Sequence, residues 1–175
     1  RGTNEDNYIA QKFARTVMKT NNVNISSNTR PELTPALGEM LGYQASTNSL
    51  WELALAKCIL VVSSNITEEQ TVAAVPVKKA VKQGTKLIVI DQRETELNRF
   101  ATVWLRPKPG TETTLIGGML RVIIDESLDD HEFLAERSAG VQEFRNSLWH
   151  FDLIKVSAIT ALPESEIQSA ARMFA

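Results

Sequence analysis

The sequence predicts an α/β fold of Rossmann-like type: an open, mainly parallel sheet with helices on both faces. Three observations predict it. The run Cys58–Val62 and the run from Leu87 to Ile90 are continuously apolar rather than alternating, as strands covered on both faces are. Helical periodicity fills the space between them, and the strand–helix–strand unit spans 34 residues, the size of a βαβ crossover. A third short strand follows at 102–105 and ends in the turn chemistry of Pro107-Lys108-Pro109-Gly110. With 175 residues, the chain is read as one domain, 1–175.

Taken in order, the first element is an amphipathic helix from Asn4 to Lys19, with Ile9, Phe13 and Val17 on one stripe and acids in its first turn. The polar stretch from Asn21 to Pro31 reads as a loop. Leu33, Leu37 and Leu41 then mark a second helix that Gly42 stops. Ser49-Leu50-Trp51-Glu52 fits a capping box and opens a short helix ahead of the first strand, which reads as a central one. Thr67-Glu68-Glu69-Gln70 is a second such box, opening a helix that runs through Pro76 to Gly84. A second buried strand spans 86–91, and a short helix at 95–100 leads to the third. Helices are expected at 113–125, 130–136, 141–149 and 163–174.

Composition excludes several classes of function. A net charge of -2 argues against a nucleic-acid partner, and no apolar run approaches the ~20 residues of a membrane span. No export signal opens the chain, so the cytoplasm is the expected compartment. One cysteine, Cys58, cannot form an internal disulfide or a thiolate metal site, and its aliphatic setting makes it core. His131 and His150 stand alone in polar contexts and are read as surface residues, so no metal ligand is assigned. Neither a G-x-G-x-x-G nor a G-x-x-x-x-G-K-[ST] motif occurs, and no G-x-S-x-G elbow suggests a hydrolase.

Open α/β sheets bind ligands beyond the carboxyl ends of their strands, which singles out three loops. Ser63-Ser64-Asn65, ahead of a helix start, offers hydroxyls, an amide and backbone N–H groups to phosphate oxygens, or is simply a capped turn. Asp91-Gln92-Arg93 pairs an acid suited to a ribose hydroxyl or a guanine N–H edge with an arginine suited to phosphate, though Asp91 also fits an N-cap. Gly110-Thr111-Glu112 is a tight turn with an acid entering a helix, which turn geometry and the helix dipole alone would explain.

In sequence order, these loops resemble a known family. Asn21-Asn22-Val23-Asn24, Thr47-Asn48-Ser49, the stretch from Ile59 to Glu68, the stretch from Gly84 to Arg93, Leu105-Arg106-Pro107, Pro109-Gly110-Thr111-Glu112 and the closing Ala170 to Ala175 are similar to the molybdopterin oxidoreductases. The likeness is nearest the formate dehydrogenase alpha subunits and covers nearly the whole chain. It implies an internal piece of a larger subunit that oxidises formate to CO2 and passes electrons to iron–sulfur clusters, with other domains and electron-transfer subunits as partners. The implied cofactor is a molybdopterin guanine dinucleotide with Mo or W, and a 4Fe-4S cluster is implied outside this segment. Ser63, Ser64 and Asn65 are then expected at the dinucleotide phosphates, Asp91 and Arg93 at its ribose–guanine end, and Gly110, Thr111 and Glu112 over the guanine. The isolated segment is expected to be inactive, because one wall of the cleft does not retain the cofactor.

The chain departs from the family pattern in three places. The cysteine or selenocysteine that ligates the metal in formate-oxidising members would fall near Thr29 or Arg30, where no thiol stands. Gln70-Thr71 replaces a common His-Pro, and Gln92 stands in the middle of the usual Asp-Pro-Arg. Glu112 occupies a position where aspartate is commoner. The missing thiol motivates an alternative, a non-catalytic scaffold similar to the iron–sulfur large subunit of respiratory complex I. A free-standing nucleotide-binding domain is a third reading.

Overall fold

The computed structural model describes residues 3–23 and 33–175. The chain groups into two compact units, Arg1–Thr47 and Asn48–Ala175. The first holds helices α1 (Asn4–Thr16) and α2 (Leu33–Leu41). Thr3 caps α1 reciprocally: its Oγ1 accepts the Asp6 N–H at 3.2 Å, and the Asp6 carboxylate accepts the Thr3 N–H at 3.0 Å. Gly42 ends α2 at φ 79°, a left-handed conformation open to glycine, with its N–H on Gly38 O at 3.0 Å. Thr29 and Arg30, the positions expected to correspond to the metal ligand, lie outside the described residues.

The second unit carries the sheet. A 3-10 helix over Leu50–Leu55 leads into β1 (Cys58–Val62), followed by α3 (Ile66–Glu69), α4 (Thr71–Lys82) and β2 (Lys86–Ile90). A second 3-10 helix (Glu96–Phe100), β3 (Val103–Leu105) and helices α5 (Glu112–Asp125), α6 (His131–Arg137), α7 (Val141–Ser147), α8 (Leu153–Thr160) and α9 (Glu164–Phe174) complete it. The strands lie in the order β1-β2-β3, all parallel, so that Val62 pairs with Ile90 and Ile90 with Leu105 at one edge. The fold class is therefore the one the sequence predicts.

Two cores flank the sheet. Ile88, Ile90 and Leu105 pack with Leu115, Met119 and Val122 of α5, Val156 of α8 and Ile167 of α9 on one face. Ile59, Val61, Leu87 and Val89 pack with Val77 and Ala80 of α4 and with Leu97 on the other. Helices thus cover both faces, which is why β2 tolerates no polar residue between Leu87 and Ile90.

Three local readings are corrected. β1, expected to be central, lies at one end of the strand order among the described residues, and its burial alternates, with Ile59 and Val61 buried and their neighbours half-buried. The single helix expected from Thr67 to Gly84 is broken at Gln70, whose φ of -139° and ψ of 61° are not helical. Asn65 rather than Thr67 is the N-cap residue of α3. Helix α8 was not anticipated; Asp152 caps it, its Oδ1 accepting the N–H groups of Ile154 at 3.0 Å and Lys155 at 3.3 Å. Gly84 does terminate α4 as expected, at φ 103°: its N–H reaches Val81 O at 3.0 Å and the Thr85 N–H reaches Ala80 O at 3.1 Å, a Schellman closure.

Candidate functional site

The parallel register brings the carboxyl ends of all three strands to one edge, and the loops leaving it carry the residues singled out from sequence. Ser63 follows β1 directly and adopts φ 44°, in the left-handed region that a non-glycine residue enters at a cost of about 1–2 kcal/mol. Its N–H donates to Ile90 O at 2.7 Å, which extends the β1–β2 ladder by one bond and holds the turn against that cost. The Ser63 hydroxyl donates to Glu112 Oε1 at 3.3 Å, and the Gln92 amide Nε2 donates to the same oxygen. One carboxylate at the start of α5 therefore joins the loops after β1 and β2.

Ser64 and Asn65 are half-buried beside Ser63, and Asn65 Oδ1 accepts the Thr67 hydroxyl at 2.9 Å. The helix they introduce is only four residues long, too short for its dipole to hold an anion, so this loop offers hydroxyl and amide groups alone. Gly110 is at φ 80° with no atom within 4 Å of an added Cβ, so its conformation rather than crowding calls for glycine. Thr111 closes the turn, its Oγ1 donating to Lys108 O at 2.7 Å, and sets the first residue of α5 at Glu112.

Asp91 sits at the end of β2 and is 1% exposed. Its Oδ1 accepts the Arg93 backbone N–H at 2.8 Å, an Asx turn that fixes the side-chain rotamer, and the Arg93 Nε lies 3.4 Å away. Its Oδ2 is buried with no hydrogen-bond partner among the described residues. The Arg93 guanidinium is held above its ordinary pKa first by the hydrogen bond to Asp91 and then by that carboxylate's charge, with Glu68 and Glu69 of α3 adding smaller contributions. The Arg93 side chain is otherwise largely exposed and turned to solvent.

Sequence reasoning assigned no role to two further residues of this edge. The Trp104 indole Nε1 donates to Asp91 O at 2.8 Å, and the Arg106 Nε donates to Gln92 O at 2.9 Å. The Arg106 guanidinium lies over the Trp104 ring at 5.6 Å. A tryptophan inside a strand was the available signal, because a half-buried indole N–H needs an acceptor. Which carbonyl it meets depends on register. No group of three or more acidic, histidine or cysteine side chains able to hold a metal is present among the described residues.

A family model for molybdopterin oxidoreductases matches residues 2–166. The chain belongs to the molybdopterin oxidoreductase family. It is 39% identical over 175 residues to the F420-dependent formate dehydrogenase 2 subunit alpha of Methanococcus maripaludis, covering 99% of this chain and 26% of that protein. It is 36% identical to formate dehydrogenase H of Escherichia coli, covering 100% of this chain and 25% of that one. Among solved structures, acetylene hydratase from Pelobacter acetylenicus superposes with a TM-score of 0.64 at 37% identity, over 68% of this chain and 16% of that one. The chain thus spans about a quarter of the length of these curated relatives. No helix among the described residues is long and apolar enough to cross a membrane.

Proposed function

We propose that this chain forms one wall of a molybdopterin guanine dinucleotide site in the alpha subunit of a formate dehydrogenase. The observation that carries the reading is the Asp91 Oδ2: a buried carboxylate oxygen without a donor is expensive to leave unpaired, and a ligand N–H or O–H at the strand edge satisfies it. The ribose hydroxyls and the N–H edge of guanine are such donors. Asp91 binds that end of the dinucleotide, and Arg93, paired with Asp91 and mostly solvent-facing, meets the same ribose–guanine end beside it. Ser64 and Asn65 offer a hydroxyl and an amide to the phosphates, and Ser63, whose hydroxyl is given to Glu112, holds the turn that presents them. Gly110 and Thr111 shape the turn that brings Glu112 across, where it receives Ser63 and Gln92 and closes the guanine side.

When bound, the cofactor would supply two-electron oxidation at a molybdenum or tungsten centre, by which formate would give CO2, one proton and two electrons, the electrons passing to a 4Fe-4S cluster carried elsewhere in the subunit. This chain's residues contribute binding and orientation. The choice of formate follows from the relatives, several of which are formate dehydrogenase alpha subunits. The designation "subunit alpha" in those names also supports partner subunits for electron transfer.

The reading is tested on the full-length protein by metal, pterin and guanylate analysis. Molybdenum or tungsten with about one or two guanylates per polypeptide is expected, one for each dinucleotide held; a purified, folded protein with none of the three refutes it. A second reading, a scaffold that keeps the fold without turnover, is favoured by one observation: the positions at Thr29 and Arg30 carry no thiol, and Cys58 is committed to β1. Formate-dependent dye reduction by the full-length protein, altered on replacing Thr29 or Arg30, would dispose of that alternative.

A further inference from the structure

We propose that Trp104 and Arg106 are positioning residues, which clamp the backbone at the end of β2 so that the Asp91 carboxylate is presented to the ligand in one orientation. The proposal rests on the reading of Asp91 as the group that meets the ribose–guanine end. The sheet ladder reaches as far as the Asp91 N–H, which donates to Leu105 O at 3.3 Å. Beyond that bond the chain leaves the sheet, and the next two carbonyls lose their strand partners. Trp104 supplies a donor to the first, at 2.8 Å, and Arg106 to the second, at 2.9 Å. The two side chains stand two positions apart, Trp104 inside β3 and Arg106 just past its end. The guanidinium plane lies over the indole at 5.6 Å, so each holds the other in place.

The consequence falls on one side chain. With both peptide units fixed, the Arg93 N–H is delivered back to Asp91 Oδ1 at 2.8 Å, which sets the carboxylate rotamer and leaves Oδ2 as the oxygen without a partner. Removing either donor frees the backbone, and the Asp91 oxygens then exchange roles.

The test is a double-mutant cycle on the full-length subunit, reading the rate at which guanylate-containing cofactor is released from purified protein. Trp104→Phe keeps a ring for Arg106 and removes the N–H. Arg106→Lys keeps the charge and removes both the plane and the Nε donor. Each is expected to speed release about 2- to 10-fold, as loss of one hydrogen bond does. Asp91→Asn speeds release at least as much, and adding Trp104→Phe to it changes the rate by less than about twofold, because the clamp acts through Asp91. Effects that multiply in full indicate a merely structural tryptophan and overturn the proposal, as does unchanged release in both single variants. Arg106→Lys retaining wild-type release indicates a direct charge contact and overturns the clamp too. Should Trp104→Phe fail to fold, the same cycle is run with Arg106→Lys, whose side chain is exposed. A wild-type protein that carries no guanylate refutes the cofactor reading as well, whereas a loaded wild type with multiplying variants refutes the clamp alone.

Discussion

Cys58 and Asp91 occupy opposite ends of the same parallel sheet, and their environments assign them opposite parts. Cys58 opens β1 at the edge away from the loops that carry Ser63 and Asp91, packed beside the core formed by α5, α8 and α9. Burial pushes its thiol above the ordinary value of 9.0, outweighing a hydrogen bond with the Ile59 backbone that acts the other way. The thiolate is the reactive form, so its fraction at pH 8 falls below that of a free cysteine and grows only as pH rises past the raised value. Alkylation followed by peptide mass spectrometry should therefore show Cys58 modified more slowly than free cysteine at pH 8, with the rate still climbing above pH 9. Rapid labelling at neutral pH would contradict its half-buried place beside the core. Asp91, by contrast, keeps a buried oxygen without a partner among the described residues, the atom on which its proposed binding role rests.

At the scale of elements, α5 joins the carboxyl-end loops to the core, because Glu112 at its first position accepts from Ser63 and Gln92 while Gly117 and Gly118 face its neighbours. A Cβ at position 117 would lie 2.4 Å from the Phe151 ring, and one at 118 would lie 2.8 Å from Val156. Glycine inside a helix ordinarily costs about 1 kcal/mol relative to alanine, so replacement should stabilise unless packing forbids it. Here packing forbids it. Gly117→Ala is expected to lower stability by about 1–3 kcal/mol through overpacking against Phe151, measured by denaturant unfolding, and a stabilised variant would show that the α5 contact is looser than it stands. Such contacts also mark where sequence stopped being informative. The strands and α5 were legible because burial on two faces and a 3.6-residue stripe leave marks in composition. The break at Gln70 was not, since it depends on one backbone rotation that the capping pattern at Thr67 disguised. Helix α8 escaped because Leu153–Thr160 mixes apolar residues around its circumference and lacks a clear polar face. Asp91 was legible from its place after an apolar run, whereas Trp104 and Arg106 gained a role only once register fixed which carbonyls they reach.

For the molecule as a whole, the sheet divides the interior of the second unit into two cores that meet only through the strands themselves. Leu115 belongs to the core under α5, α8 and α9, and Leu97 to the one under α4; both are fully buried, at 0% and 1% exposure. Each truncated to alanine should destabilise by about 2–5 kcal/mol, the transfer cost of the lost methyl groups plus that of the cavity left behind. The two cavities lie on opposite faces and share no wall, so the double variant Leu97→Ala with Leu115→Ala should equal the sum to within about 0.5 kcal/mol. Leu115 and Ile167 share one core, and truncating both should depart from additivity, because the second cavity opens into the first. Denaturant unfolding of the three single and two double variants decides the matter. Coupling between Leu97 and Leu115 as large as that between Leu115 and Ile167 would mean that the strands transmit strain from face to face. The carboxyl edge of the sheet would then be sensitive to packing on either side, instead of being set by α5 and the β2–β3 pairing on which Asp91 depends.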